Sequence, residues 1–369
     1  MSRPEAEHKD PLIRIAKRNA ISQPRAWGIR LIGVCLALVV CAFVIYAIVR
    51  LNPLKVYGSM FNGAFGTEKR AWVTVRDAMM LLCIGVGLAP AFKMRFWNIG
   101  AEGQILVGGV ATAACMIYCK NFPSPLLFPI MIAASLTAGA LWGLLPAIFK
   151  SRWNTNETLF TLMMNYVAIQ VTSYFVSKWE NPYGSNTVGV INQSTQKGWF
   201  PDVFGEQYML NILIVMTVTV AMYNYLKYSK HGYEIAVVGE SLDTARYAGI
   251  NTRAVFIRTM LLSGAVCGLA GFIAVSGASH TISTSTAGGR GFTAIIVAWM
   301  AKFNTYVMIL IAFLLVFLEK GAIEIASLYN LNSYVSEMIE GIILFFILGS
   351  EFFINYRLIF RSRKGADTE

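Results

Sequence analysis

A few polar side chains in an otherwise apolar chain have the types and spacing to do chemistry on a passing solute. Asn98, Glu102 and Gln104 stand in the run Arg95-Phe-Trp-Asn-Ile-Gly-Ala-Glu-Gly-Gln104, and Asn165 lies inside a later apolar run. Amides and carboxylates of this kind donate and accept hydrogen bonds to a polar molecule. A charged side chain at mid-bilayer costs on the order of 3 kcal/mol on insertion scales, so it usually faces a polar cavity or a partner. Gly100 and Gly103 let the backbone leave helical geometry or let another helix come close. The same run also reads as a helix start at the inner membrane face, with Asn98 as its cap and Glu102 near the positive end of the helix dipole. The two readings are compatible.

A second constellation lies at Gly239-Glu-Ser-Leu-Asp-Thr-Ala-Arg-Tyr-Ala-Gly-Ile250. It predicts one short helix, opened by Ser241 and closed by Gly249. Leu242, Ala245, Tyr247 and Ala248 then give a small, partly apolar surface suited to a groove on a soluble partner. An ordinary connecting loop is the other reading.

Several chemistries lack their residues. The chain has no G-x-x-x-x-G-K-[ST] phosphate loop, so it does not itself carry that ATP site. No Ser/His/Asp cluster predicts a catalytic residue. The six cysteines, Cys35, Cys41, Cys83, Cys115, Cys119 and Cys267, fall in apolar runs, where they act as small hydrophobes. Cys115 and Cys119 stand one helical turn apart, but a tetrahedral metal site needs more ligands, and His8, His231 and His280 are scattered. No metal site and no disulfide framework are expected.

The elements that must position these residues are membrane helices. Hydrophobic residues make up 56% of the chain and charged residues only 14%, with a mean hydropathy of +0.55; soluble domains carry about a quarter charged residues. The expected fold is an all-α, polytopic transmembrane bundle of roughly ten spans of about 20 residues each. The net charge of +11 is not gathered beside base-stacking aromatics, which argues against nucleic acid. Its basic residues alternate along the chain as membrane topology requires.

Residues 1–28 form a basic cytoplasmic segment. Asp10 and Pro11 signal a helix start, and Leu12, Ile13, Ala16 and Ala20 share a face opposite Arg14, Lys17 and Arg18, which predicts a helix lying on the membrane surface. The membrane domain covers 29–356. Its expected spans are Ile29–Val49, Val75–Phe92, Ile105–Cys119, Leu126–Phe149, Thr158–Ser177, Tyr208–Leu226, Ala254–Gly277, Phe292–Ala301, Tyr306–Leu318 and Val335–Phe353. Residues 50–74 and 178–207 fall outside, and 227–253 form the one sizeable cytoplasmic loop. Residues 357–369 are a basic cytoplasmic tail, so both termini are expected inside. The aromatics of 178–207 (Trp179, Tyr183, Trp199, Phe200) suit the headgroup level; a docking role for a partner is the sharper reading.

The blocks 75–177 and 254–356 each carry a polar, glycine-rich interruption early on, and they are offset by an odd number of spans. They are candidate inverted repeats, an arrangement that puts a transport site at their interface. A proton-coupled transporter using Glu102 is the alternative that these residues leave open.

Longer runs carry a family likeness. Phe96-Trp-Asn-Ile-Gly-Ala-Glu-Gly-Gln104, Asn156-Glu157 with Leu162-Met-Met-Asn165-Tyr166, Val238 to Ile250, and Ser263-Gly-Ala-Val-Cys-Gly-Leu-Ala-Gly271 resemble the permease subunits of bacterial ABC importers. Within them the ribose-type branch is nearest, and inside it the nucleoside permeases, over residues 50 to 355. The resemblance implies a multi-pass protein of the bacterial plasma membrane that imports nucleosides or ribose-type sugars. It implies a second permease, a paralogue, as partner, with an ABC ATPase subunit that binds ATP and Mg while this chain binds no cofactor, and an extracytoplasmic substrate-binding lipoprotein. The residues' own chemistry makes Asn98, Glu102, Gln104 and Asn165 the candidate substrate path, and the resemblance implies coupling to the ATPase through Gly239, Glu240, Asp243, Ala245, Arg246, Tyr247 and Gly249. Relatives usually carry Gly where this chain has Arg95, and Gly and Pro where it has Ala301 and Thr305.

Overall fold

The computed structural model describes residues 13–18, 21–50, 52–330 and 333–360. In chain order its elements are β1 (Ile13–Lys17), α1 (Gln23–Val49), α2 (Pro53–Phe65), α3 (Glu68–Lys93), α4 (Ala101–Tyr118), α5 (Ser124–Trp153), α6 (Glu157–Lys178), α7 (Met209–Tyr228), α8 (Lys230–Glu240), α9 (Leu242–Tyr247), α10 (Thr252–Ala274), α11 (Arg290–Met300), α12 (Thr305–Leu328), α13 (Ser333–Asn355) and β2 (Tyr356–Phe360). Among the described residues eight helices are long and apolar enough to cross a membrane, and the shorter apolar helix α11 joins them. The chain is a polytopic helical membrane protein.

Contacts divide it into two compact units, residues 64–318 and residues 1–63 with 319–369. In the first, α3 and α10 are the inner helices: 89% and 83% of their apolar windows are buried, against 28% for α5, α6 and α7. Small residues let α10 approach its neighbours. A side chain on Gly264 or Gly268 would meet the backbone of α5 at Gly139 and Ser135, and one on Gly271 would meet α4 at Ile105. In lipid, where apolar burial drives no association, such close packing supplies the attraction. Polar side chains cap or pair at several helix starts. Asn156 accepts from the Leu159 amide at 3.1 Å, Asn251 from the Ala254 amide at 3.2 Å, and Lys150 pairs with Glu157 at 2.9 Å.

In the second unit α1 packs on α13, with Arg30 paired to Glu351 at 2.6 Å. Here the expected surface helix fails. Residues 13–17 are a strand, paired antiparallel with β2 so that Ile13 faces Phe360 and Lys17 faces Tyr356. Isoleucines alternating with Arg14 and Ala16 fit a two-residue period, and β-branched chains favour the pleated conformation. Asp10, Pro11, Leu12 and Ala20, which the helix reading used, lie outside the described residues, as do the tail's basic residues beyond 360.

Three of the connecting segments carry structure of their own. Residues 50–74 are not a simple loop, because α2 and the first turns of α3 occupy most of them. The 227–253 connection is largely helical, through α8 and α9. The 178–207 segment packs down, with Val188, Ile191 and Phe200 buried, while Tyr183 and Phe204 stay exposed.

Candidate functional site

The polar run at 95–104 is a break between two helices. α3 ends at Lys93, and Arg95 turns the chain with φ +58°, the left-handed region where glycine fits best. That matches the glycine usual at this position in the family resembled. Trp97 then stacks on Trp299 of α11, ring centroids 5.2 Å apart, and the chain enters α4 at Ala101.

The break is stitched from several sides. Asn98 is fully buried; its Nδ2 donates to Ser263 Oγ at 3.2 Å, midway along α10, and its Oδ1 accepts from the Gly100 amide at 3.0 Å. Gln104 meets Asn98 through both amide groups at 3.4 Å. From α6, Asn165 Oδ1 accepts from the Gly103 amide and its Nδ2 donates to the Ile99 carbonyl, both at 2.9 Å. Backbone groups freed by leaving helical geometry must find partners in a water-poor interior, and these side chains provide them.

Glu102 joins this break to the second one. Its Oε1 accepts from the Gly289 amide at 2.7 Å and its Oε2 from the Gly291 amide at 2.9 Å, at the start of α11. Gly291 has no room for a side chain, since a Cβ there would lie 2.6 Å from the Glu102 nitrogen. α11 has 11 residues, which at about 1.5 Å each is near half of a ~30 Å hydrocarbon core. It is a half-helix whose positive end is met by a carboxylate. The two polar interruptions seen in sequence are therefore bonded to each other.

A third cluster was not singled out in the sequence. Asp77 on α3 is buried, with Arg76 Nη2 2.8 Å from its Oδ1 and Arg290 Nη2 3.2 Å from its Oδ2. The signal was present: Arg76 and Asp77 are charged residues inside the expected span 75–92. The ion pair draws α11's first residue onto α3. A cavity of ≈ 340 Å³ opens beside it. Near it, α10 ends in a π-helical turn, Val275–Ser279, and His280 stacks on Trp199 at 3.9 Å.

At the opposite end of these helices lie the residues of the second sequence constellation. Ser241 caps α9 by accepting from the Thr244 amide at 3.2 Å, and Gly249 ends it with φ +73°, as predicted. Gly239 and Glu240 close the preceding helix α8 instead. Gly239 sits where any side chain would strike the Lys93 carbonyl. Ala245 is buried and anchors α9; Tyr247 is 94% exposed, beside exposed Asp243 and Arg246, which pair at 3.4 Å. The arrangement thus brings Asn98, Glu102, Gln104 and Asn165 into one buried seam. It places the 239–249 residues apart from them, linked through the end of α3. Among the described residues no group of three His, Cys, Asp or Glu is placed to hold a metal ion.

Comparison with known proteins gives this arrangement its family. Residues 73–348 match the family described as branched-chain amino acid transport system, permease component. A glucose ABC transporter permease protein of Haloferax volcanii is 28% identical over 96% of this chain and 96% of its own length. A guanosine ABC transporter permease protein of Bacillus subtilis is 29% identical over 84% of this chain and 90% of its own. A nucleoside ABC transporter permease protein of Lactococcus lactis is 24% identical over 86% and 91%. No solved structure matches. With the match running from within α3 into α13, across both helix breaks and the α8–α9 connection, the chain belongs to the permease-component family of the branched-chain amino acid transport systems.

Proposed function

We propose that the chain forms one half of the translocation path of an ATP-driven importer for nucleosides or related ribose-type sugars. The observation that carries the reading is the end-to-end likeness to permeases named for guanosine, nucleosides and glucose. The broken helices support it, because discontinuous helices at mid-depth are where transporters handle solutes. Asn98, Glu102, Gln104 and Asn165 hold the broken segment and so shape the path. With both Glu102 oxygens taken by backbone amides, the proton-carrying alternative loses its motive.

The partners are an ABC ATPase that binds ATP and Mg, a paralogous permease and an external binding lipoprotein; this chain itself takes no cofactor. A paralogous pair is in keeping with the two guanosine permease proteins of Bacillus subtilis that both resemble it. The exposed face of α9, with Asp243, Arg246, Tyr247 and Gly249, docks on the ATPase. Ala245 and Gly239 seat that helix, and Gly239 hands its movement to Lys93, just before the break. The protein lies in the bacterial plasma membrane with both termini cytoplasmic, in accord with the basic residues at those ends.

The test is uptake of labelled guanosine and glucose in cells with and without the chain. Loss of either uptake on deletion, restored by the intact gene, is expected. Unchanged uptake of both removes the reading.

A further inference from the structure

The cavity beside Asp77 offers a built polar site inside the membrane-spanning part of the chain. Asp77 is the tenth residue of α3 and almost wholly buried, just inside the outer end of the expected span 75–92. Groups so placed are rare and mark solute or ion pathways by default. Opposite it, Ser283, Ser285 and Thr286 gather their hydroxyls, Ser283 Oγ lying 3.0 Å from Ser285 Oγ and 3.3 Å from Thr286 Oγ1. The volume of ≈ 340 Å³ sits at the lower end of the roughly 300–1,000 Å³ usual for small-molecule sites.

The charges already have partners. Arg76 is held by Asp77 and lies over the Tyr208 ring at 5.0 Å, and Arg290 is held by Asp77. What remains is hydrogen-bonding capacity. The guanidinium forks have further N–H groups, and the serines and threonine both donate and accept. That set can hydrogen-bond the hydroxyls of a solute from several sides.

The geometry points to this cavity as the place where the permease holds its solute, through the hydroxyls of a neutral, hydroxyl-rich molecule such as a ribonucleoside or hexose. It rests on the importer reading above. Glu102 acts here as a positioning residue: by binding the amides of Gly289 and Gly291 it fixes Arg290 between them, and with it one wall of the cavity. Neither break forms the site alone.

The experiment measures uptake in cells whose own copy is replaced by Asp77→Asn, Arg290→Lys or Ser285→Ala, comparing guanosine with 2′,3′-dideoxyguanosine and glucose with 2-deoxyglucose. Any upstream receptor is the same in every strain, so its discrimination cancels between variant and native protein. The preference for the hydroxylated solute is expected to fall about tenfold or more, as when a site built to bind a hydroxyl loses its partner. Ser285→Ala, at the exposed rim, carries the test if Asp77→Asn does not accumulate. An unchanged preference in variants that still transport overturns the proposal and leaves the importer reading standing. Uptake indifferent to deletion of the whole chain overturns both.

Discussion

At the scale of single residues, Glu102 shows how a costly group is accommodated. Its carboxylate lies in a buried seam, yet both oxygens meet backbone N–H groups at 2.7 and 2.9 Å. Hydrogen bonds to a charged group are worth about 1.5–3 kcal/mol each. Glu102→Gln keeps the shape but replaces one acceptor by an NH₂ facing an N–H, and is expected to destabilise the protein by about 1–3 kcal/mol. An unchanged unfolding midpoint in detergent would reject that role. His280 gives a pH effect. Burial holds its imidazole below the ordinary 6.5, with the nearby Arg76 charge adding to the effect and a backbone bond at Ser276 opposing it. The folded state thus favours the neutral ring, so its stability contribution is intact above about pH 6.5 and is lost as the pH falls toward the depressed folded value. His280 also anchors the 178–207 segment, its carbonyl accepting from the Ile191 amide at 2.9 Å. Hydrogen exchange at residues 189–200, corrected for intrinsic rate, is expected to speed up between pH 7.5 and 5. Equal protection at both would exclude it.

At the scale of elements, α9 is a short lever seated by one buried side chain. Six residues cannot hold a helix in water by themselves; the Ser241 cap, the Gly249 terminus and buried Ala245 fix it against the bundle. Its outward face carries Asp243, Arg246 and Tyr247. Reversing the charge there with Arg246→Glu leaves fold and solute capture alone but places like charges beside Asp243. Transport is expected to drop about tenfold, the effect of removing 1–2 kcal/mol from an interface anchor. Equal stimulation of ATP hydrolysis in variant and native complexes would contradict a coupling role. The Ser241 cap of α9 was legible because a capping side chain acts within three residues of its target. The strand at 13–17 was not, because its partner lies at 356–360 and no local pattern announces a strand pairing across the whole chain. The charge pair at Arg76 and Asp77 was visible as an anomaly in a span, but its partner Arg290 is over two hundred residues away.

At the scale of the whole molecule, the sequence and the family agree on a membrane-spanning permease subunit. The two helix breaks, one after α3 and one after α10, meet through Glu102, so that a shift at one is felt at the other. If ATP drives the cycle, uptake should persist when an ionophore collapses the proton gradient and should stop when cellular ATP is depleted. The reverse result would favour the proton-coupled class. Composition, hydropathy and the spacing of basic residues determined that the chain is a helical membrane protein and roughly where its long apolar helices run, because a bilayer imposes one requirement on every span: an apolar surface over a fixed length. The motif at 96–104 marked where the first helix break lies. Only the tertiary structure decided what those residues do. Whether a buried carboxylate faces solute or an amide depends on groups brought close by packing: it gave Glu102 and Asn98 to the backbone of the breaks, and left the hydroxyl-lined cavity to Asp77 and Arg290.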